Sequence, residues 1–207
     1  METNLEKIIV GRRTVAPSKI VCVGRNYVEH IKELNSETPE DMIIFLKPNS
    51  AISKELQSFH QEQIHYEAEL CFLYENDRFS AVGFGLDLTK RKLQSKLKSK
   101  GLPWERAKAF NGSAIFSEFV EISDISPKLN FELNINGKII QSGNINLMIY
   151  KPDKVLSEIS KFISLRNGDI VMTGTPKGVG PVNKGEVFAG KVKDNDKVIT
   201  SAEWLAI

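Results

Sequence analysis

The segment from Ile64 to Phe72 constrains the fold more than any other part of this chain, because apolar and polar residues alternate along it with a period of two. That period predicts a β-strand with one face in the core. The opposite face carries His65, Glu67, Glu69 and Cys71. Two carboxylates on one face of a strand lie only about 7 Å apart and repel each other, so a compensating partner is expected.

A hard divalent cation such as Mg²⁺ is the natural partner for the two glutamates, because it prefers oxygen ligands and takes only a few of them from protein. Asp87, near the end of another predicted strand, is a candidate third ligand. Both glutamates could equally face solvent on an edge strand. The spacing by itself is weak support for a metal site.

A short helix is predicted from Tyr27 to Leu34, and it places His30 and Glu33 side by side. A carboxylate three residues from an imidazole orients the ring and stabilises its charged form, which suits a general base acting on water. The alternative is an ordinary surface pair. Spacing does not choose between the two.

The segment from Asp169 to Gly180 reads as a strand followed by a glycine-rich loop with two hydroxyls and a lysine. Such a loop can present backbone N–H groups to an anion. It lacks the GK[ST] ending of a phosphate-binding loop and the helix that should follow, so a carboxylate ligand is favoured over a nucleotide. A plain tight turn is the alternative.

Strands dominate the rest of the chain, with a hairpin turn at Asn136-Gly137, a loop from Ser53 to Gln63 and two amphipathic helices. We expect a mainly antiparallel, β-rich α+β fold with a few short helices rather than a doubly wound parallel sheet. The predicted helices are Lys90 to Gly101, capped by Thr89, and Pro152 to Ile163. The predicted strands are Lys19–Val23, Ile43–Leu46, Ala81–Leu88, Phe131–Ile135, Lys138–Gln141, Asp169–Thr173, Glu186–Lys193 and Lys197–Trp204.

Composition narrows the class of protein further. A length of 207 residues suits one domain, predicted over 1–207, and a net charge of +2 is too small to indicate a nucleic-acid partner. The basic run from Lys90 to Lys100 is interpreted as a solvated helix face. Cys22 and Cys71 lie in apolar runs and are expected to be reduced core residues. With no signal-peptide pattern and no apolar stretch of membrane-spanning length, we expect a cytoplasmic protein without a membrane partner.

Six segments, taken together, resemble the fumarylacetoacetate hydrolase family, in particular its small single-domain members of the acylpyruvase and oxaloacetate-handling type. Any one of them would be weak, but the six occur in the order found in that family. They are GRNYVEH with Glu33 following, IFLKP at Ile44 to Pro48, HYEAEL at His65 to Leu70, GLDLTKRKLQ at Gly85 to Gln94, PWERAKAF at Pro103 to Phe110, and GDIVMTGTPKGVG at Gly168 to Gly180.

The resemblance implies a mixed β-sandwich roll like the family's C-terminal domain, usually a homodimer, and a Mg²⁺ or Mn²⁺ ion. It places the metal ligands on Glu67, Glu69 and Asp87, and the active-site lysine on Lys108. It places substrate contacts on Arg91, Gln94 and Thr175, and it makes His30 and Glu33 a catalytic pair on a lid ordered by substrate. Two departures are Tyr66, where many members have a second histidine, and Lys92, which replaces a commonly acidic residue.

The implied activity is hydrolysis of a C–C bond in 2,4-dioxo acids of the acylpyruvate or fumarylpyruvate type, with the pyruvate enolate held by the metal. Decarboxylation or tautomerisation of oxaloacetate would use the same enolate. The alternatives are an isomerase of 2-hydroxy-dienoates such as 2-hydroxyhepta-2,4-diene-1,7-dioate, and a binding protein that kept the scaffold without catalysis.

Overall fold

Short strands are the main regular secondary structure of this chain. The structure is a computed structural model, and it describes residues 5–33 and 41–207. The strands within those ranges are β1 (Ile8–Val10), β2 (Arg13–Val15), β3 (Lys19–Gly24), β4 (Ile43–Pro48), β5 (Ile52–Ser53), β6 (His65–Tyr66), β7 (Ala68–Glu75), β8 (Arg78–Asp87), β9 (Ala114–Phe116), β10 (Val120–Glu121), β11 (Leu129–Ile135), β12 (Lys138–Asn144), β13 (Ile170–Met172), β14 (Gly180–Pro181), β15 (Val187–Asp194) and β16 (Lys197–Leu205). The α-helices are α1 (Val28–Glu33), α2 (Arg91–Ser99), α3 (Glu105–Lys108) and α4 (Pro152–Ile159), and single 3₁₀ turns lie at Asn49–Ala51 and Ile145–Leu147.

The larger of the two main sheets has the strand order β4-β3-β13-β7-β8-β9-β5, with β10 also paired to β8. Two of its pairs, β3 with β13 and β5 with β9, are parallel, and the others are antiparallel. The expected β-rich, mainly antiparallel α+β fold with few short helices is therefore confirmed. Because β13 comes late in the chain and inserts between β3 and β7, it joins the first and last thirds of the sequence.

The smaller sheet, of order β12-β11-β15-β16, is antiparallel throughout. Its first hairpin turns at Asn136 and Gly137, whose φ angles of 51° and 81° are those that a two-residue hairpin loop requires. Along β11 every second residue is buried, so one face packs against the larger sheet. There the ring of Phe84 lies 6.1 Å from the rings of both Phe131 and Trp204.

Each face of the larger sheet contacts its own hydrophobic core. The larger core lies between the two sheets and includes Phe72, Phe84, Phe131 and Phe188. The smaller core covers the other face and contains Cys22 and Cys71, both buried with free thiols, as expected from the sequence. β7, which carries Glu69 and begins directly after Glu67, is thus buried on both faces.

Several predicted elements differ in detail from the structure. The strand predicted from Ile64 to Phe72 is split at Glu67, because β6 leaves the main sheet to pair with β14. Thr89 does not cap α2: the residue before the helix is Lys90, without a side-chain cap, and the Thr89 hydroxyl points into the cluster described below. The fourth helix ends at Ile159 rather than Ile163. The predicted helix end at Leu34 lies outside the described residues.

Candidate active site

Three carboxylates meet where β7 and β8 run side by side. One oxygen from each of Glu67, Glu69 and Asp87 lies within 4.8 Å of the others: Glu67 directly precedes β7, Glu69 lies in β7 and Asp87 ends β8. The pairing of the strands explains this, since Glu69 lies opposite Gly85 and the amide of Asp87 donates a 2.8 Å hydrogen bond to the carbonyl of Glu67. The three residues are 6 %, 2 % and 1 % exposed. The convergence expected from the sequence is therefore present in the fold.

A glycine opposite Glu69 permits this close pairing. A Cβ atom at Gly85 would lie 2.6 Å from Cys71 Sγ and 2.9 Å from a ring carbon of Phe116. Contacts that short are repulsive, so any larger residue would force the two strands or the ring apart. Gly85 therefore keeps the backbone beneath the carboxylates in register.

Lys108 sits among the carboxylates on the short helix α3. Its Nζ donates hydrogen bonds to Glu67 Oε2 at 2.9 Å, Asp87 Oδ2 at 2.7 Å and Thr89 Oγ1 at 2.6 Å. Burial by itself would lower the pKa of Lys108, but the carboxylates of Asp87 and Glu67 outweigh it and raise that pKa. Arg91, in the first turn of α2, pairs with Glu67 Oε1. Both basic residues that the resemblance assigned therefore contact the acidic cluster.

Lys47 is a second buried lysine at the site, and sequence reasoning gave it no role. Its side chain is fully buried, and Nζ lies 2.8 Å from Asp87 Oδ1. It also donates to the carbonyl oxygens of Lys108 and Ser113. The signal in the sequence was a lone lysine at the end of the apolar run IIFL, where a charged group needs a buried partner.

Glu69 and Glu67 have different electrostatic environments. Burial raises the pKa of Glu69 well above its ordinary value, and the nearby charges of Asp87 and Glu67 raise it further. Burial acts in the same direction on Glu67, but Lys108 and Arg91 outweigh it and lower the pKa of Glu67. The described lysines and arginine thus compensate Glu67 better than Glu69.

These residues fit a hard divalent cation. Asp87 Oδ1 is buried and accepts no well-directed hydrogen bond from the described residues, because Lys47 directs its protons to backbone carbonyls. Glu69 accepts a 2.6 Å hydrogen bond from the amide of Gly174 but lies beside two other carboxylates. Carboxylate oxygen atoms that lack a hydrogen-bond donor are available as ligands, and oxygen ligands are the ones that Mg²⁺ and Mn²⁺ prefer.

The predicted His30–Glu33 pair is formed on α1 at the edge of the same cleft. His30 Nδ1 lies 3.1 Å from Glu33 Oε2, and His30 is 4 % exposed. The other carboxylate oxygen of Glu33 accepts a 2.9 Å hydrogen bond from the amide of Gly178. This bond ties α1 to the glycine-rich loop after β13.

The glycine-rich loop supports the site rather than presenting an open anion nest. The amide of Gly174 is used by Glu69, and Thr175 Oγ1 accepts a 3.0 Å hydrogen bond from Gln141 Nε2. Gln141 in turn accepts a 3.0 Å hydrogen bond from the amide of Ala68, next to Glu67. Gln141 is a supporting residue that no sequence pattern indicated.

One cleft gathers the carboxylates, the histidine and the residues that the resemblance assigned to substrate. Gln94 accepts a 2.8 Å hydrogen bond from Arg91, which holds both side chains on the cleft side of α2. Of the nine predicted site residues, Glu33 alone does not line the cleft. Glu33 contacts His30, which does line it. The lining residues are Val23, Gly24, Arg25, His30, Phe45, Glu67, Glu69, Asp87, Arg91, Gln94, Lys98, Trp104, Lys108 and Thr175.

The two departures from the family pattern lie away from the carboxylates. Tyr66 is 6 % exposed and packs in the larger core with its ring 5.3 Å from that of Phe188, as strand alternation predicts. Lys92 is exposed on α2, where its amide donates to Glu62. Neither side chain lines the cleft.

Comparisons with known proteins agree with this geometry. Residues 19–205 match the profile of the fumarylacetoacetate (FAA) hydrolase C-terminal family. The chain is 38 % identical to oxaloacetate tautomerase YcgM of Escherichia coli, over 82 % of this chain and 85 % of that protein. It is also 38 % identical to the human mitochondrial oxaloacetate tautomerase FAHD1, over 83 % and 86 % of the two chains. The crystal structure of fumarylpyruvate hydrolase from Pseudomonas aeruginosa, in complex with Mn²⁺ and pyruvate, superposes with a TM-score of 0.86 at 28 % identity, covering 98 % of this chain and 97 % of that one.

Proposed function

We propose, from the premise that the chain belongs to the fumarylacetoacetate hydrolase family, that it is a metal-dependent enzyme interconverting the keto and enol forms of oxaloacetate. The observation that carries the proposal is the meeting of three buried carboxylates with Lys108 and His30 in one cleft. Two relatives with 38 % identity are oxaloacetate tautomerases, and they support the choice of reaction.

Glu67, Glu69 and Asp87 would hold the ion, with Mg²⁺ as our first choice and Mn²⁺ as the alternative. When bound, a divalent cation supplies Lewis-acid stabilisation of the charge that develops on the 2-oxo oxygen as a proton leaves C3. In the metal-free protein, burial and the neighbouring carboxylates raise the pKa of Glu69, and a bound cation would compensate that charge.

The protein's own residues bind and orient the substrate. Arg91, Gln94 and Thr175 line the cleft beside the carboxylates and would bind the 1-carboxylate and the 2-oxo group. Lys108 holds Glu67 and Asp87 in position and adds positive charge next to the developing enolate.

His30 would move the proton at C3. Its Nδ1 is engaged by Glu33, which leaves Nε2 to exchange a proton with the substrate. Glu33 is itself fixed by Gly178, so the imidazole is oriented before substrate arrives. A fixed base and a fixed positive charge in the same cleft are what enolisation needs.

A second candidate function is hydrolysis of the C3–C4 bond of 2,4-dioxo acids. The His30–Glu33 pair favours it, because a base oriented by a carboxylate can deprotonate a water for attack at C4. The structural similarity to fumarylpyruvate hydrolase supports it as well. Both reactions develop the same negative charge, so the site alone is compatible with either.

The deciding experiment adds the purified protein to fresh oxaloacetate in its enol form and follows the loss of enol absorbance in the ultraviolet. We expect Mg²⁺-dependent acceleration that a chelator abolishes and added Mg²⁺ restores. Release of pyruvate from acetylpyruvate, measured in parallel, tests the hydrolytic candidate. A Mg²⁺-loaded protein that accelerates neither reaction would contradict the proposal.

A homodimer is the proposed assembly. Support comes from a shallow apolar cleft beside the edge strand β4, where Leu102 is 47 % and Phe162 61 % exposed. A second copy would cover these side chains. Light scattering should give twice the chain mass, and Phe162→Glu should shift the protein toward monomer.

Three further expectations from the sequence remain predictions. They are a single catalytic domain over 1–207, a cytoplasmic location and the absence of a nucleic-acid partner. Across the described residues, no helix has both the length and the apolar character needed to span a bilayer.

A further inference from the structure

One face of α2 carries more than the two residues already assigned to substrate. Arg91, Gln94 and Lys98 are spaced at i, i+3 and i+7, so they lie on one face, and all three line the cleft. Arg91 contacts Glu67 at the inner end. Lys98 lies about 10 Å further along the helix axis, and helical side chains lean toward the N-terminus, that is, toward Arg91.

Two aromatic rings hold two lysine ammonium groups at different depths of the cleft. Lys108 Nζ lies 5.2 Å from the ring centroid of Phe45, and Lys98 Nζ lies 5.7 Å from that of Trp104. The two rings are themselves 6.1 Å apart. A cation–π contact orders an ammonium group without using up its N–H donors, so Lys98 remains able to bind an anion.

Lys98 differs from the other basic side chains near the carboxylates in having no acidic partner among the described residues. Lys108, Arg91 and Lys47 all contact the carboxylates, whereas Lys98 makes no ion pair with any carboxylate in residues 5–33 and 41–207. Partial burial lowers the pKa of Lys98, and the neighbouring charges of Arg25 and Arg91 lower it further. An anion placed there would relieve this repulsion.

We propose that Lys98 is a specificity-determining residue that binds the second carboxylate, at C4, of a dicarboxylic 2-oxo acid whose first carboxylate is bound near Arg91. This inference rests on the proposed function and extends it, because it selects a four-carbon dicarboxylic acid over 2-oxo acids with an uncharged tail. Trp104 positions the ammonium group for that contact.

The test compares two stable ligands, L-malate and its 4-methyl ester, which replaces the negative charge at C4 with a neutral ester, by calorimetric binding to the Mg²⁺-loaded protein. Lys98→Met should weaken malate binding about tenfold, the size expected of one partly exposed charge-assisted contact, and leave the ester unchanged. Lys98→Arg should keep the preference. Lys96→Met, an exposed lysine of α2 that does not line the cleft, is the matched control. Equal binding of malate and ester by the parent protein, or equal losses for both ligands in Lys98→Met, would overturn the role of Lys98.

Turnover of oxaloacetate by the same variants separates the two proposals. A preference for malate that Lys98→Met removes, in a protein that does not turn over oxaloacetate, would support Lys98 as an anion subsite while removing the proposed activity. Normal turnover by the parent protein, with an unchanged KM for oxaloacetate in Lys98→Met, would keep the activity and overturn the subsite.

Discussion

Lys47 Nζ lies 2.8 Å from Asp87 Oδ1, and neither side chain is more than 1 % exposed. The two residues come from different edges of the site, β4 and the end of β8. Lys47 also donates hydrogen bonds to the backbone carbonyls of Lys108 and Ser113. It therefore connects Asp87, a candidate metal ligand, to the segment that carries Lys108. The geometry of the acidic cluster therefore depends on a residue outside the cleft.

Removing the charge of Lys47 should destabilise the folded protein. We expect Lys47→Met to lower the free energy of unfolding by about 3–5 kcal/mol, because it leaves Asp87 buried with one partner fewer. Urea unfolding followed by circular dichroism measures this. Lys54→Met, at an exposed lysine, should change the value by less than about 0.5 kcal/mol. Similar stability of the two variants would show that the Lys47–Asp87 contact contributes little.

Glu69→Gln tests the metal assignment without an activity assay. The parent protein should gain thermal stability when Mg²⁺ is added, and the variant should lose most of that gain. Since the pKa of Glu69 is raised, the folded metal-free protein binds an extra proton, so its stability falls as pH rises from about 4.3 through the raised pKa.

The variant removes that penalty, so metal-free Glu69→Gln should be more stable than the metal-free parent at neutral pH. Glu203→Gln, at an exposed position of β16, is the matched control and should respond to Mg²⁺ as the parent does. An unchanged Mg²⁺ response in Glu69→Gln would remove Glu69 from the ligand set.

His30→Ala should separate proton transfer from metal binding. We expect kcat for oxaloacetate tautomerisation to fall about 100-fold or more, the usual contribution of a positioned acid–base group, with Mg²⁺ affinity by calorimetry little changed. His60→Ala is the control, because His60 packs against Phe110 outside the cleft. Full activity in His30→Ala would exclude the histidine from proton transfer.

Part of the loss of folding stability at low pH should arise at Asp169, which lies away from the acidic cluster. Burial would raise the pKa of Asp169, but hydrogen bonds from Lys19, Ser18 and the amide of Arg166 outweigh it and lower that pKa. The stabilisation is therefore present above the unfolded pKa of about 3.9 and is lost as pH falls through the folded pKa.

Asp169→Asn should be less stable by about 2 kcal/mol at pH 7, since it weakens hydrogen bonds to a charged group. Its stability should also change less than that of the parent on acidification below about pH 4. Unfolding curves at several pH values check both points. Asp124→Asn, at an exposed aspartate, should follow the parent throughout.

The local signals in the sequence were sufficient for much of the fold. Alternation placed Glu67 and Glu69 on one face, and Asn136-Gly137 marked its hairpin because two consecutive positive φ angles suit those residues. The strands β5, β9 and β14, of two or three residues each, were not predicted. They are too short to show a period, and their partners lie far away in the sequence.

Site residues could be predicted where the residue type and its local spacing indicate a chemical role. They could not be predicted where the role depends on contacts that only the fold brings together. The apolar run before Lys47 indicates a buried charge but not that Asp87 is its partner. Nothing local to Gln141 indicates its hydrogen bonds to Ala68 and Thr175. Thr89 matched a helix cap by position, but the buried ammonium group of Lys108 bonds to its hydroxyl instead. Long-range contacts decided each of these cases.

The insertion of β13 between β3 and β7 has a consequence for synthesis of the chain. Ile170 pairs with both Ile20 and Leu73, so the central sheet stays open until β13 has left the ribosome. Contacts of such high sequence separation slow folding, and the two waiting strands expose unpaired edges meanwhile. Gly174 reaches Glu69 only after this closure, so the backbone hydrogen bond that holds Glu69 forms after β13 has joined the sheet.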